Sequence, residues 1–231
     1  MERVALSSAG MRQLIIGGSG FLGTELVRQA AAAGWETAAT YLSRPGGMPE
    51  ASWYPLDVRV PGKVDAVLAA VAPHAVVDVT SGGSDWAVTA DGAFRVVAAA
   101  ARHGCRLVHL SSDAVFSGAH SPYDETCLDG VLFTDDIRCP VHVEDLAAAV
   151  LELAVSDEAG MFHVAGEDAL SRHELGVLIA RRDGLDASRL VSGRRSGSSV
   201  PGPLDVRLDC RATRQRLRTR LRGAREFLRG R

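Results

Sequence analysis

Close to the N-terminus an apolar run, Arg12 to Gly17, meets an Ala-rich helical pattern from about Phe21 to Ala33. Between them lies Gly17-Gly18-Ser19-Gly20-Phe21-Leu22-Gly23, a G-x-x-G-x-x-G spacing. A glycine turn placed after a strand and before a helix is a phosphate-binding turn. Gly17 permits the sharp turn off the strand, Gly20 lets a pyrophosphate approach the backbone, and Gly23 lets the helix pack closely. Phe21 and Leu22 contribute amides at the helix N-terminus, where the dipole favours an anion. A dinucleotide is the ligand this predicts.

Past the first helix the chain alternates strand and helix. Gly34 ends that helix as a C′ glycine does. Trp35–Tyr41, Ser52–Leu56, Ala75–Val79 and Arg106–Leu110 read as strands, and Lys63–Val71 and Trp86–His103 as helices, the last with Gly92 as a flaw. This is the pattern of a parallel α/β sheet. Beyond Gly118 the alternation stops. Residues 117–142 read as loop and Val143–Val155 as an amphipathic helix. Met161–Val164 reads as a short strand carrying His163, and Ser171-Arg172-His173-Glu174 as a capping box. Residues 192–203 read as a mobile connector, and Arg211–Leu228 as a basic terminal helix.

The acidic residue that holds a ribose 2′-hydroxyl in NAD sites is expected about 20 residues past the glycine turn. Here the second strand runs into Tyr41-Leu42-Ser43-Arg44, with no carboxylate. Ser43 and Arg44 suit a 2′-phosphate, so the predicted cofactor is NADP, with NAD the alternative.

These motifs, in this order, resemble the extended short-chain dehydrogenase/reductase superfamily, and within it the dTDP-4-dehydrorhamnose reductase branch of sugar-nucleotide reductases. Gly17 to Gly23 carries the resemblance first. Leu56-Asp57-Val58 is similar to the segment whose aspartate lies near the adenine. Arg106 to Gly118 (RLVHLSSDAVFSG) is similar to the strand ending Ser-Thr-Asp-x-Val-Phe-x-Gly. Ser121 to Thr126 (SPYDET) is similar to the Pro-Tyr-x-Glu segment after it, and Asp135–Leu153 and Gly160–Ala180 resume the likeness.

The resemblance implies a doubly wound Rossmann-type parallel sheet with a small C-terminal α/β substrate lobe. The domains expected are a disordered leader (residues 1–10), a dinucleotide domain (11–126) and a remnant substrate lobe (127–231). It implies that Ser112 is the catalytic serine that holds the substrate's carbonyl oxygen. It implies that Thr80, Ser81 and Gly82 line the cofactor, and that Thr89 stands where the family has asparagine. It also implies hydride transfer to the keto group of a nucleotide sugar.

One part of the family's machinery is absent. Its proton donor is a tyrosine tuned by a lysine four residues on. The only lysine here is Lys63, the tyrosines are Tyr41, Tyr54 and Tyr123, and no Y-x-x-x-K exists. The stretch from Gly130 to Asp135 is also too short for the helix and strand that carry the pair, at ~12 and ~5 residues each. The sheet is therefore expected to stop near five strands, with one face less covered and open to a protein partner. The open readings are a reductase with impaired turnover and a non-catalytic NADP-binding regulatory module.

Composition narrows the rest. The net charge is −2, yet residues 189–231 hold 13 arginines against three acids, so the remaining chain carries −12. Such a helix beside an acidic body reads as ion-paired surface, not a nucleic-acid interface. Asp135 and Asp136 read as loop charge, and Glu144 and Asp145 as matched to a helix N-terminus. His109 reads as a packed or surface strand residue and His142 as a residue preceding a helix. Cys105, Cys127, Cys139 and Cys210 show no metal spacing. No apolar run reaches the ~18 residues of a membrane span, and a cytoplasmic location is expected.

Overall fold

The computed structural model describes residues 10–83, 85–111, 132–198 and 203–229. Two compact units make up the chain. The first takes its described residues from the stretch up to Leu110 and from Ala147–Ala159. The second takes them from Ser111–Leu146 and from Gly160 onward.

In the first unit the strands are β1 (Arg12–Ile16), β2 (Glu36–Tyr41), β3 (Ser52–Pro55), β4 (Ala75–Asp78) and β5 (Arg106–His109). They form one parallel sheet in the order β3-β2-β1-β4-β5. The chain runs outward from β1 to β3 and then crosses to β4, so the switch point lies between β1 and β4. Open α/β sheets bind ligands outside the strand ends at such a point. Helix α1 (Phe21–Ala32) joins β1 to β2, α2 (Lys63–Val71) joins β3 to β4, and α3 (Ala93–Arg102) leads into β5.

Alternate strand residues sort to opposite faces. Leu14, Ile16, Ala38 and Val76 form one core cluster with Val64, Val67, Leu68 and Val71 of α2 and Val96 and Ala99 of α3. Ile15, Ala39 and Val77 take the other face, where a right-handed β1-α1-β2 crossing puts α1. Strands buried on both faces are predominantly apolar, which is why β1 and β4 carry the runs Leu14-Ile15-Ile16 and Ala75-Val76-Val77.

The expected helix over Trp86–His103 opens as a π-helical turn, Ala87–Gly92, before α3. Gly92 is no flaw there. A Cβ on it would lie 2.6 Å from Val58 Cγ2, so the glycine lets this turn seat on Val58, three residues past the end of β3.

In the second unit β6 (Leu132–Phe133) pairs with β9 (Ser192–Gly193), and β7 (Ile137–Arg138) with β8 (Leu170–Ser171). Helix α4 (Val143–Val155) begins in this unit, and α5 (Arg172–Arg182) is started by the capping box. Ser171 Oγ accepts the Glu174 amide at 3.1 Å, and the Glu174 carboxylate accepts the Ser171 amide at 2.8 Å.

Several expectations for this unit are corrected. Met161–Val164 has no strand pairing. The basic terminal helix is two short ones, α6 (Arg211–Arg216) and α7 (Ala224–Phe227). The break between them lets Leu217 and Leu221 bury and gives Arg222 to Asp145, which accepts its backbone amide at 2.9 Å and its guanidinium at 2.7–3.0 Å. His142 packs on Phe227 with ring centroids 5.1 Å apart and the planes tilted by 58°, and meets the same guanidinium. The 192–203 connector carries β9 and a turn of 3-10 helix, Arg195–Gly197, whose Arg195 is 4% exposed.

Asp135 and Asp136 are not loop charge. Asp136 is buried among Arg138, Arg195 and Arg172, at 2.6, 3.3 and 3.6 Å. Asp135 accepts the backbone amides of Arg195 and Ser196 at 2.6 and 3.0 Å and so caps that turn. No helix among the described residues is long and apolar enough to cross a membrane.

The Ser196 side chain, with the Arg195 and Ser196 amides, lowers the Asp135 carboxyl from 3.8 to about 2. A depressed folded-state value contributes stability that is present above about pH 3.8 and lost as pH falls toward 2. Urea midpoints measured from pH 5 to pH 2 are expected to fall less steeply for Asp135→Asn than for the parent chain, and parallel curves would refute the cap.

Candidate functional site

The glycine turn is shaped by backbone converging from three strands. Gly17 leaves β1 at φ +86°, and its amide donates to Thr40 Oγ1 at 3.0 Å on β2. A Cβ on Gly17 would lie 3.1 Å from the Thr80 nitrogen and 3.2 Å from the Val79 carbonyl beyond β4. Gly18 fits only as glycine, because a Cβ would come within 2.7 Å of Ala39 Cβ. Gly23 has the tightest requirement: its Cβ would lie 2.2 Å from the Gly17 carbonyl oxygen and 2.7 Å from Gly18 Cα. So Gly23 closes α1 onto the turn itself, as much as onto the sheet.

Gly20 differs. It is the N-cap of α1, and a Cβ there would meet only the Gly17 oxygen, at 3.3 Å. No side chain caps α1, and its first turn holds no acid. Phe21 is 84% exposed and Leu22 half-buried. Thus the first-turn amides, the dipole and an open surface at Gly20 lie together, which is what a pyrophosphate requires. The residues present fit a dinucleotide.

Ser43 and Arg44 follow β2 directly and are exposed, and Arg44 has no ion-pair partner among the described residues. Their loop is fastened to β3 by Trp53. Its indole donates to the Met48 carbonyl at 3.0 Å, and its ring occupies the space a Cβ on Gly46 would need. Asp57 is engaged by Arg59, whose guanidinium forks onto both carboxylate oxygens at 2.8–3.2 Å and holds the Asp57 carboxyl below its usual range. Val58 is buried under Gly92.

Beyond β4, Ser81 is exposed, and Gly82 allows the approach of Val88, 2.6 Å from where its Cβ would be. Thr80 is turned inward: its amide and hydroxyl both donate to Asp78 Oδ1, at 3.0 and 2.8 Å. Thr89 spends its hydroxyl on the Asp85 carbonyl. Ser112 and the Pro122–Tyr123 segment lie outside the described residues, as do Cys127 and the first nine residues of the leader.

Three functional candidates escaped the sequence reading. Thr40 is buried and carries the turn, yet nothing marks it within β2. Asp78 is 0% exposed at the end of β4, and its second oxygen meets His109 Nδ1 of β5 at 2.9 Å. This hydrogen bond raises the His109 pKa above its ordinary value. The signal was legible: a lone carboxylate in the apolar run Ala75-Val76-Val77-Asp78 needs a partner.

With this geometry in hand, known proteins give a consistent answer. The family model for the RmlD substrate binding domain matches residues 11–128 and 131–229. The chain belongs to the RmlD substrate binding domain family. The two matched segments part at 129–130, at the edge of the stretch too short for a further helix and strand. No curated protein sequence matches the chain.

Among solved structures, a hypothetical dTDP-4-dehydrorhamnose reductase from Sulfolobus tokodaii aligns with a TM-score of 0.73 and 22% identity, covering 90% of this chain and 96% of that one. The dTDP-4-dehydrorhamnose reductase of Bacillus anthracis, solved with NADP, aligns at 0.76 and 16%, covering 95% and 97%. WbmH of Bordetella bronchiseptica, solved with NAD+, aligns at 0.76 and 14%, covering 94% and 95%. At these identities the likeness establishes the fold, a Rossmann-type parallel sheet with flanking helices.

Gly20 and Gly23 separate ligand from packing. Gly23→Ala is expected to destabilise the chain by about 1–3 kcal/mol through overpacking. Gly20→Ala is expected to cost less, roughly 0.5–1 kcal/mol for loss of an N-cap glycine. Thermal unfolding of the two variants measures the difference; equal losses would contradict the geometry.

Proposed function

We propose that this chain binds a nicotinamide dinucleotide, NADP(H) ahead of NAD(H), and acts on the keto group of a nucleotide sugar with low turnover. The observation that carries the reading is the Gly17–Gly23 turn, which leaves an uncapped helix N-terminus and an open Gly20 beside the switch point of the sheet. Membership of the RmlD substrate binding domain family supports the substrate class, as does a relative from Bordetella bronchiseptica solved with NAD and UDP.

In this reading Gly17, Gly20 and the amides of Phe21, Leu22 and Gly23 hold the pyrophosphate. Arg44 and Ser43 hold a 2′-phosphate, Asp57 and Val58 border the adenine, and Thr80, Ser81 and Gly82 line the nicotinamide half. Ser112 holds the substrate's carbonyl oxygen. Residues 11–126 take the dinucleotide and residues 127–231 the sugar nucleotide. When bound, the cofactor supplies a hydride; the chain's own task is to position the carbonyl and supply a proton. Loss of the Tyr-x-x-x-Lys pair underlies the low turnover.

A second reading keeps binding and drops turnover. The missing pair favours it, and Trp86, Phe94 and Val97 are exposed apolar side chains on which a protein partner would rest.

Thermal unfolding tests the binding. A ligand at a hundred times its Kd adds about 2.7 kcal/mol. At roughly 2–4 °C per kcal/mol for a chain of this size, NADPH is expected to raise the midpoint by roughly 5–10 °C. Gly20→Val should abolish that rise, and Arg44→Ala should narrow the NADPH-over-NADH preference by roughly ten-fold, about 1.4 kcal/mol. No rise with either dinucleotide would end this reading. Oxidation of NADPH in the presence of dTDP-4-dehydrorhamnose separates slow turnover from none.

A further inference from the structure

Ile16, Asp78 and His109 stand in one row across the three strands β1, β4 and β5, paired in register. Neighbouring strands lie about 4.8 Å apart, so the row spans roughly 10 Å. At one end of it the chain turns into Gly17 and the phosphate-binding turn. At the other stands an imidazole whose Nδ1 lies 2.9 Å from a fully buried carboxylate. The same carboxylate fixes Thr80, whose backbone nitrogen lies against Gly17.

The charge on Asp78 calls for an explanation. Burying a carboxylate costs several kcal/mol unless an opposite charge and hydrogen bonds offset it. The Thr80 amide and hydroxyl do not need a charge: an asparagine carbonyl would accept both equally well. Only the third partner, His109, gains from a carboxylate, because only it can become a cation. Asp78 Oδ2 accepts from Nδ1–H, which leaves Nε2 as the titrating nitrogen, an acceptor when neutral and a donor when protonated. Nε2 has no partner among the described residues, and the side chain is 32% exposed. Asp78 is the one charged group acting on the ring among those residues.

We propose that His109 and Asp78 form the proton-transfer couple of this chain. His109 is the donor through Nε2, and Asp78 is the residue that positions it. The proposal rests on the dinucleotide-binding reading above. The balance is simple. The carbonyl carbon receives a hydride from a reduced nicotinamide dinucleotide, the C=O π pair moves onto oxygen, and that oxygen takes the Nε2 proton. The imidazole is left neutral and regains its proton from water.

The test is an NMR titration of the His109 ring in the intact protein, assigned with His109→Gln, for the free chain and with saturating NADPH or NADP+. Both dinucleotides carry the same phosphates, so their difference isolates the positive nicotinamide ring. A ring at the reacting end disfavours a nearby imidazolium. The His109 pKa is expected on the order of one unit lower with NADP+ than with NADPH. In Asp78→Asn it is expected to fall toward the ordinary ~6.5.

Equal His109 pKa values in the two complexes, with unfolding midpoints showing that both ligands bind, would overturn the couple and leave the binding reading standing. Absence of any midpoint shift would overturn both. The titration of the unaltered chain decides the matter even where Asp78→Asn fails to fold.

Discussion

Everything at the candidate site depends on how closely three stretches of backbone approach Gly17. Its amide is taken by Thr40 from β2, its Cα faces the Val79–Thr80 backbone beyond β4, and its carbonyl oxygen sits where a Cβ of residue 23 would be. No side chain fits into this junction, so the glycines at 17, 18 and 23 are requirements of packing before they are requirements of binding. Gly20 is the least crowded of the four, its Cβ position meeting only the Gly17 oxygen at 3.3 Å.

That distinction explains what the sequence could and could not reveal. Strands and helices of the first unit were legible because a sheet buried on both faces demands continuous apolar runs, and β1, β4 and the intervening helices supply them. The spacing of Gly17, Gly20 and Gly23 was legible for the same reason: close approach leaves a glycine signature. Apart from the lone Asp78 in an apolar run, side-chain partnerships left no such trace. Thr40 is one β-branched residue among several in a strand, and nothing local says that its hydroxyl holds the turn. Gly92 looked like an error in a helix because its reason, Val58, lies 34 positions away. The second unit was harder because its strands are two residues long and α6 and α7 span only six and four residues, so no period has room to develop there. What sets that unit is where individual arginines find carboxylates.

The charge asymmetry is thereby explained. The arginine-rich C-terminal stretch is not a helix presenting a continuous cationic face. Arg222 is taken by Asp145, Arg220 by Glu226, and Arg225 lies within reach of Asp168 and Glu174. Arg216 covers the Phe162 ring at 4.5 Å. Asp136 collects three more guanidinium groups from β7, α5 and the turn before Gly197. A planar fork can satisfy a carboxylate and several carbonyls at once, so arginine ties irregular segments together where there are too few apolar residues to do it.

The absence of a Tyr-x-x-x-Lys pair is less of a chemical void than it first looks. A proton donor for carbonyl reduction works best with a pKa near the operating pH. Tyrosine starts near 10 and needs a neighbouring cation to bring it down; histidine starts near 6.5 and needs an anion to hold it up. The corrections are opposite in sign. The first device requires a helix to set two residues one turn apart, and this chain has no room for that helix between Gly130 and Asp135. The second requires only two residues in register on adjacent strands, and β4 and β5 already provide them. The anion must be buried to hold its partner firmly, and a buried anion at a strand end must itself be tied down. Thr80 does this from the segment that abuts the phosphate turn. The row of residues that ends β1 at the glycine turn therefore also holds Asp78 and His109 side by side.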